Sequence, residues 1–230
     1  ENFDSVTAPA LPSGWSTSTS GAQSLWVTQK GTNDTGPNAA FSTDAANVGV
    51  NELVSPSIAV PVGTAQLSFR NFYDLETGSG GAGYDGGVLE IKIGANSFKD
   101  ILAAGGSFVS GGYNSTIDSG YANPLASRPA WSGNSGGFIT TLVNLPAAAG
   151  GQTIQLKWRC GTDNGNGNSG WRIDTVALGS RGCTCCGGGT TNTPPVLPAQ
   201  PNRTIVALTT LTVTNTASDA DLPVQTMSYQ

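Results

Sequence analysis

Apolar and polar residues alternate along several short stretches of this chain with a period of two. From Thr64 to Tyr73, Ala65, Leu67, Phe69 and Tyr73 fall on one face and Gln66, Ser68 and Arg70 on the other, the pattern of a half-buried strand. Phe72 departs from it. Residues 88–93 repeat the alternation with Leu89, Ile91 and Ile93 inward, and residues 153–158 do so with Ile154, Leu156 and Trp158. Fainter strand patterns cover 24–28, 53–60, 138–143 and 171–178, and Pro56, which has no N–H to give to a ladder, marks 53–60 as an edge. No segment sustains a 3.6-residue period with caps, so almost no helix is expected. Residues 95–134 are rich in Gly, Ser, Asn and Tyr, which predicts long surface loops with one or two short strands.

Composition sharpens this picture into an all-β chain. Among 230 residues there are 32 glycines and 13 prolines but only 11% charged residues, which suits short strands and many turns. A chain of this length can sustain a core without metal or disulfide help. Histidine is absent, which removes the commonest general base, the usual zinc ligand and every Ser-His-Asp or Cys-His arrangement. The net charge is −5 and the ten Lys and Arg are spread along the chain, so no basic surface for nucleic acid is expected and cations are the favoured small partners. No stretch approaches the roughly 20 apolar residues of a membrane span, which argues against membrane insertion.

A boundary shows in the last quarter of the chain. Residues 187–201 are flexible at their glycines and extended at their prolines, as a linker is. The expected organisation is a sandwich over 1–182, a Cys/Gly/Pro-rich linker over 183–201 and a β segment over 202–230. That segment holds two β-branched runs, Thr204-Ile205-Val206 and Leu211-Thr212-Val213-Thr214, too few strands to bury a core of their own.

Four cysteines allow three full pairings. If 152–159 and 171–178 pair as an antiparallel hairpin, Cys160 and Cys183 lie at opposite ends, on the order of 25 Å apart at ~3.3 Å per residue. Cys160 is then expected to be unpaired and buried. Cys183 with Cys186 is the least strained local bridge, and a bond to another subunit is the alternative. Gly78-Ser79-Gly80-Gly81-Ala82-Gly83 satisfies G-x-G-x-x-G but leads into a strand rather than a helix, so it reads as a hairpin loop rather than a dinucleotide site. The run Asp163-Asn164-Gly165-Asn166-Gly167-Asn168 lacks acidic residues at its third and fifth places, so it reads as a hairpin tip rather than a calcium loop.

Three motifs carry a family resemblance: Glu1-Asn2-Phe3-Asp4 at the start, Asp85-Gly86-Gly87 in the middle, and Gly170-Trp171-Arg172-Ile173-Asp174-Thr175-Val176 at the end. Together they resemble the jelly-roll modules of the MAM and cleaved-adhesin kind, over about residues 1–180. The resemblance implies a two-sheet jelly-roll β-sandwich attached, without catalytic activity of its own, to a secreted protein. Export is inferred from it, with Glu1 read as the start of a processed product. It also implies a structural Ca2+ held at one rim by Glu1, Asp4, Asp85 and Asp174, with Asp74 and Glu76 as nearby reserves. Trp131 and the other tryptophans, Trp15, Trp26, Trp158 and Trp171, are expected inside, where each supplies large buried area. Residues 202–230 resemble the opening of a cadherin-like or bacterial Ig-like repeat, whose D-x-D is matched by Asp219 and Asp221.

Two functional readings follow. The first is an extracellular, non-enzymatic adhesion or binding module, calcium-stabilised, that engages a protein or glycan on a cell or matrix surface through the loops of 95–134. The second is a subunit of an extracellular fibre, in which the β segment after the linker adds a strand to the next copy of the chain.

Overall fold

The structure, a computed structural model, describes residues 1–78, 80–180 and Ala199. The chain divides into two units, Glu1–Arg181 and Gly182–Gln230. The Cys183–Cys186 bridge, the acidic pair Asp219 and Asp221, and the strands expected near 204–214 all lie outside the described residues.

The strands in chain order are β1 (Ser16–Gly21), β2 (Val27–Lys30), β3 (Asn38–Ser42), β4 (Gly49–Val54), β5 (Ile58–Ala59), β6 (Ala65–Leu75) and β7 (Gly86–Ile93). After them come five short strands, β8 (Lys99–Asp100), β9 (Ser107–Ser110), β10 (Ser115–Thr116), β11 (Pro129–Ala130) and β12 (Gly133–Asn134). The last are β13 (Ile139–Asn144), β14 (Thr153–Thr162) and β15 (Gly170–Ser180). One 3-10 turn, Ala147–Ala149, is the only helical element among the described residues.

Two antiparallel sheets face each other. The first runs β1-β4-β14-β7-β8 with β5 beside β14, and the second β2-β3-β15-β6-β13-β9 with β12 beside β6. From β3 onward the long strands alternate between the sheets, and first-to-last neighbours (β3 with β15, β4 with β14) wrap the chain into a jelly roll. The alternation read from the sequence is complete on β6, whose odd-numbered residues from Ala65 to Leu75 are buried. Trp26, Trp131, Trp158 and Trp171 fill the space between the sheets, while Trp15 is half-buried against Phe3 and Trp158. Phe72 lies on the outer face of β6, against Phe138 and under the Arg172 guanidinium.

Three expectations change. Pro56 does not mark an edge strand: it separates β4, which lies between β1 and β14, from β5. Residues 95–134 hold five short strands, and their loop folds over the outer face of β7, burying Val88 against Ile117, Leu125 and Ala130. Strands β14 and β15 do not form a hairpin, because they belong to different sheets. The turn between them crosses the sandwich, with Asp163 pinned to Asp85 at one end and Ser169 to Asp74 at the other. The expected 25 Å separation therefore has no basis in the fold. Cys160 is nonetheless a free, buried thiol, facing the inter-sheet core beside Gln23.

All core strands among the described residues precede Arg181. A chain ending at Gly189 is therefore expected to keep the cooperative melting transition of the first unit, which circular dichroism checks.

Candidate cation site and binding rim

Four strand ends meet at one rim of the sandwich, and each brings a carboxylate. Asp44 follows β3 and Glu76 follows β6 in the second sheet, while Asp85 precedes β7 and Asp163 follows β14 in the first. Carboxylate oxygens of Glu76, Asp85 and Asp163 lie within 4.8 Å of one another. Asp44 neighbours Asp85, and each carboxyl shifts the titration of the other. Asp85 is fully buried, and Asp163 and Asp44 are 2% and 8% exposed.

Backbone N–H groups hold these carboxylates in place. Asp85 Oδ1 accepts the Asp163 N–H at 2.6 Å, and Asp163 Oδ1 that of Gly165 at 2.5 Å. Asp44 Oδ2 accepts the N–H groups of Glu76 at 3.1 Å and Asn168 at 2.9 Å. Three buried oxygens are left without a partner: Asp44 Oδ1, Glu76 Oε2 and Asp85 Oδ2. Burial, and then the Asp44 charge, push the Asp85 carboxyl up to about 9, and burial also raises that of Asp44. The glycines of the crossing turn allow the approach. A Cβ on Gly165 would lie 2.8 Å from Glu76 Oε2, and one on Gly167 would overlap the Asp44 carbonyl oxygen.

The structure does not bring Glu1, Asp4, Asp85 and Asp174 to one point. Asp174 lies opposite Arg70 on β6, four residues along β15 from Gly170 at the rim, or ~13 Å at strand spacing. Both its oxygens are occupied: Oδ2 accepts the N–H groups of Asp34 (2.8 Å) and Thr35 (3.0 Å), and Oδ1 that of Thr175 (2.7 Å). Asp4 Oδ1 accepts the Asn38 N–H and Glu1 Oε1 that of Phe3. The Glu1 backbone exchanges both hydrogen bonds with Val176 and so anchors the N-terminal segment, while Asp174 holds the loop of Asp34 and Thr35. Of the reserves, Glu76 belongs to the cluster and Asp74 accepts the Ser169 hydroxyl. Nothing in the sequence marks Asp44, and Asp163 reads there as part of a hairpin tip rather than a ligand. The one available signal was the Gly-x-Gly spacing after Asp163, which serves close backbone approach.

Above the cluster stands an aromatic pair. Tyr84 and Tyr121 meet edge-to-face with centroids 4.9 Å apart, and Tyr121 is 44% exposed. Buried Asn123 anchors the loop that carries Tyr121, donating to the carbonyls of Tyr84 (2.7 Å) and Gly161 (2.9 Å).

No known family and no curated protein matches the chain. Solved structures similar to it include a carbohydrate-binding module of the β-sandwich superfamily, 13% identical with a TM-score of 0.44 over 77% of this chain; the chain spans 60% of that protein's length. A second is TmCBM61 in complex with β-1,4-galactotriose (12% identical, TM-score 0.45, 79% of this chain and 99% of that one). A third is the K1 cleaved adhesin domain of Lys-gingipain from Porphyromonas gingivalis W83 (15% identical, TM-score 0.44, 79% of this chain and 97% of that one). The sandwich assignment itself rests on the strand pairing of this chain.

Proposed function

We propose that the chain is a non-enzymatic binding module of an extracellular protein, engaging a glycan or protein surface through the rim that carries Tyr84 and Tyr121. The observation that carries this reading is the exposed Tyr121 on an anchored loop, packed edge-to-face on half-buried Tyr84. An aromatic ring with a polar tip offers large contact area to either kind of ligand, and an anchored loop loses little entropy on binding. The rim carboxylates are poor candidates for acid–base work on a substrate, because three of them are buried and turned toward one another. The 230 residues contain no histidine to replace them.

The test is retention of the full chain on immobilised polysaccharides and extracellular-matrix proteins. Saturable binding to at least one of them is expected, and Tyr121→Ala should weaken it about tenfold or more, the ~1.4 kcal/mol of a central aromatic contact. Tyr121 is exposed, so the variant should melt with the wild type. Binding that survives Tyr121→Ala and Tyr84→Ala unchanged would remove the rim from the account.

One observation favours the fibre reading as a second possibility. Ala177–Ser180 of β15 pairs with β6 on one side and, among the described residues, with no strand on the other, which leaves an edge that an added strand could use. Negative-stain microscopy of the full chain beside a chain ending at Gly189 separates the readings, since strand addition requires filaments from the first and none from the second.

A further inference from the structure

We infer that the apolar groove between the sheets, beside Ala177–Ser180 of β15, accepts residues 210–214 of a second copy of this chain, with Leu211 and Val213 filling it. The inference rests on the strand-addition reading above and adds to it the acceptor groove and the donated residues.

The second sheet is incomplete on this side. Strand β3 covers β15 only from Trp171 to Ile173, and the Glu1 backbone takes its place at Val176, with hydrogen bonds of 2.7 Å in both directions. Beyond Val176, among the described residues, Ala177–Ser180 has a strand partner on the β6 side alone. Next to this open edge lies a cavity of about 220 Å³. Val176, Leu178 and Leu67 line it from the second sheet, Ile58 and Leu156 from the first, and Trp15 from the N-terminal segment. Leu67 and Leu156 are fully buried, whereas Trp15, Ile58, Val176 and Leu178 pack against the core and are only half-buried.

An open backbone edge and an uncovered stretch of core therefore coincide. A small apolar ligand would cover the side chains and leave the edge N–H and C=O groups without a ladder. An added strand answers both, because its backbone extends the sheet while every second side chain points into the groove.

The sequence supplies a matching segment. Thr210-Leu211-Thr212-Val213-Thr214 alternates hydroxyl and aliphatic side chains with a period of two, and four of its five residues are β-branched, as a half-buried strand favours. Leu211 and Val213 fall on one face, ~6.6 Å apart at strand spacing. An apolar cavity of about 150 Å³ takes up a benzene molecule, so this larger one has room for such a pair. No charged residue occurs from Thr204 to Ser218, so seating the segment desolvates no charge of its own. The other β-branched run, Thr204-Ile205-Val206, has two adjacent aliphatic residues, one of which would face away from the groove.

Sedimentation velocity of the full chain over a range of concentrations tests this, beside Leu211→Asp, which spoils the donor, and Leu178→Lys, which spoils the groove. The wild type should form multimers, and each variant should weaken self-association about tenfold or more while keeping the wild-type circular dichroism. Should Leu178→Lys fail to fold, Ile58→Lys on the opposite wall takes its part. Mixed in equal amounts, the two variants bring together one intact donor and one intact groove, so the mixture should give a dimer and nothing larger. A wild type that stays monomeric overturns the strand-addition reading and the groove with it. Multimers that a chain ending at Gly189 loses but both point variants keep overturn the groove assignment alone, as does a mixture of the two variants that stays monomeric.

Discussion

Replacing Trp131 by alanine is expected to destabilise the sandwich by about 3–5 kcal/mol, the largest single effect in this fold. Trp131 is fully buried, and its ring meets Tyr113 at 4.8 Å, Phe108 at 5.5 Å, Trp171 at 5.7 Å and Phe69 at 5.9 Å. It comes from the long loop between β7 and β13 and reaches between the sheets, so the variant loses the packing of that loop as well as the indole. Its Nε1–H donates to the Gly111 carbonyl at 2.9 Å, which fixes a second point of the same loop. Trp131→Phe keeps much of the apolar area and leaves the Gly111 carbonyl with the Thr141 hydroxyl as its remaining donor, so a smaller loss is expected, with ~1 kcal/mol of it from the lost hydrogen bond. Urea unfolding checks both. A Trp131→Ala loss below about 1 kcal/mol would mean that the loop is a surface appendage rather than part of the core.

The second large effect is a pH dependence. The folded Asp85 carboxyl is pushed up to about 9, against ~3.9 in an unfolded chain. Below the unfolded value both states hold the proton and its stabilisation is complete. As pH rises from about 4 toward 9 the folded state must retain a proton that the unfolded state releases, so stability falls through that window. The melting temperature should therefore drop from pH 5 to pH 8. Asp85→Asn removes the titrating group and should flatten the profile. A wild type whose melting temperature rises steadily from pH 5 to pH 8 would contradict this account of the buried pair.

The strands of the core were legible because their signal is local. On β6 every second side chain meets the opposite sheet, so a period of two in Ala65, Leu67, Phe69 and Tyr73 reports burial directly. The two-residue strands of 95–134 are too short to carry any period, and Val88 escaped that reading because a loop buries its outer face. The rim was harder for a different reason. Residues 44, 76, 85 and 163 are brought together by alternation of the chain between sheets, a property of topology that spacing does not display. Reading 152–159 and 171–178 as a hairpin placed Asp163 at an outlying tip, whereas the chain turns there from one sheet to the other. Asp174 drew notice through its motif, but its carboxylate is consumed by the N–H of Thr175 and by two more that only the folded loop of Asp34 and Thr35 supplies.

Retention of the full chain and of Tyr121→Ala on immobilised polysaccharides and extracellular-matrix proteins tests the central claim most directly. The expected result is saturable binding by the full chain that Tyr121→Ala weakens about tenfold or more. Binding that survives both Tyr121→Ala and Tyr84→Ala unchanged would contradict the account.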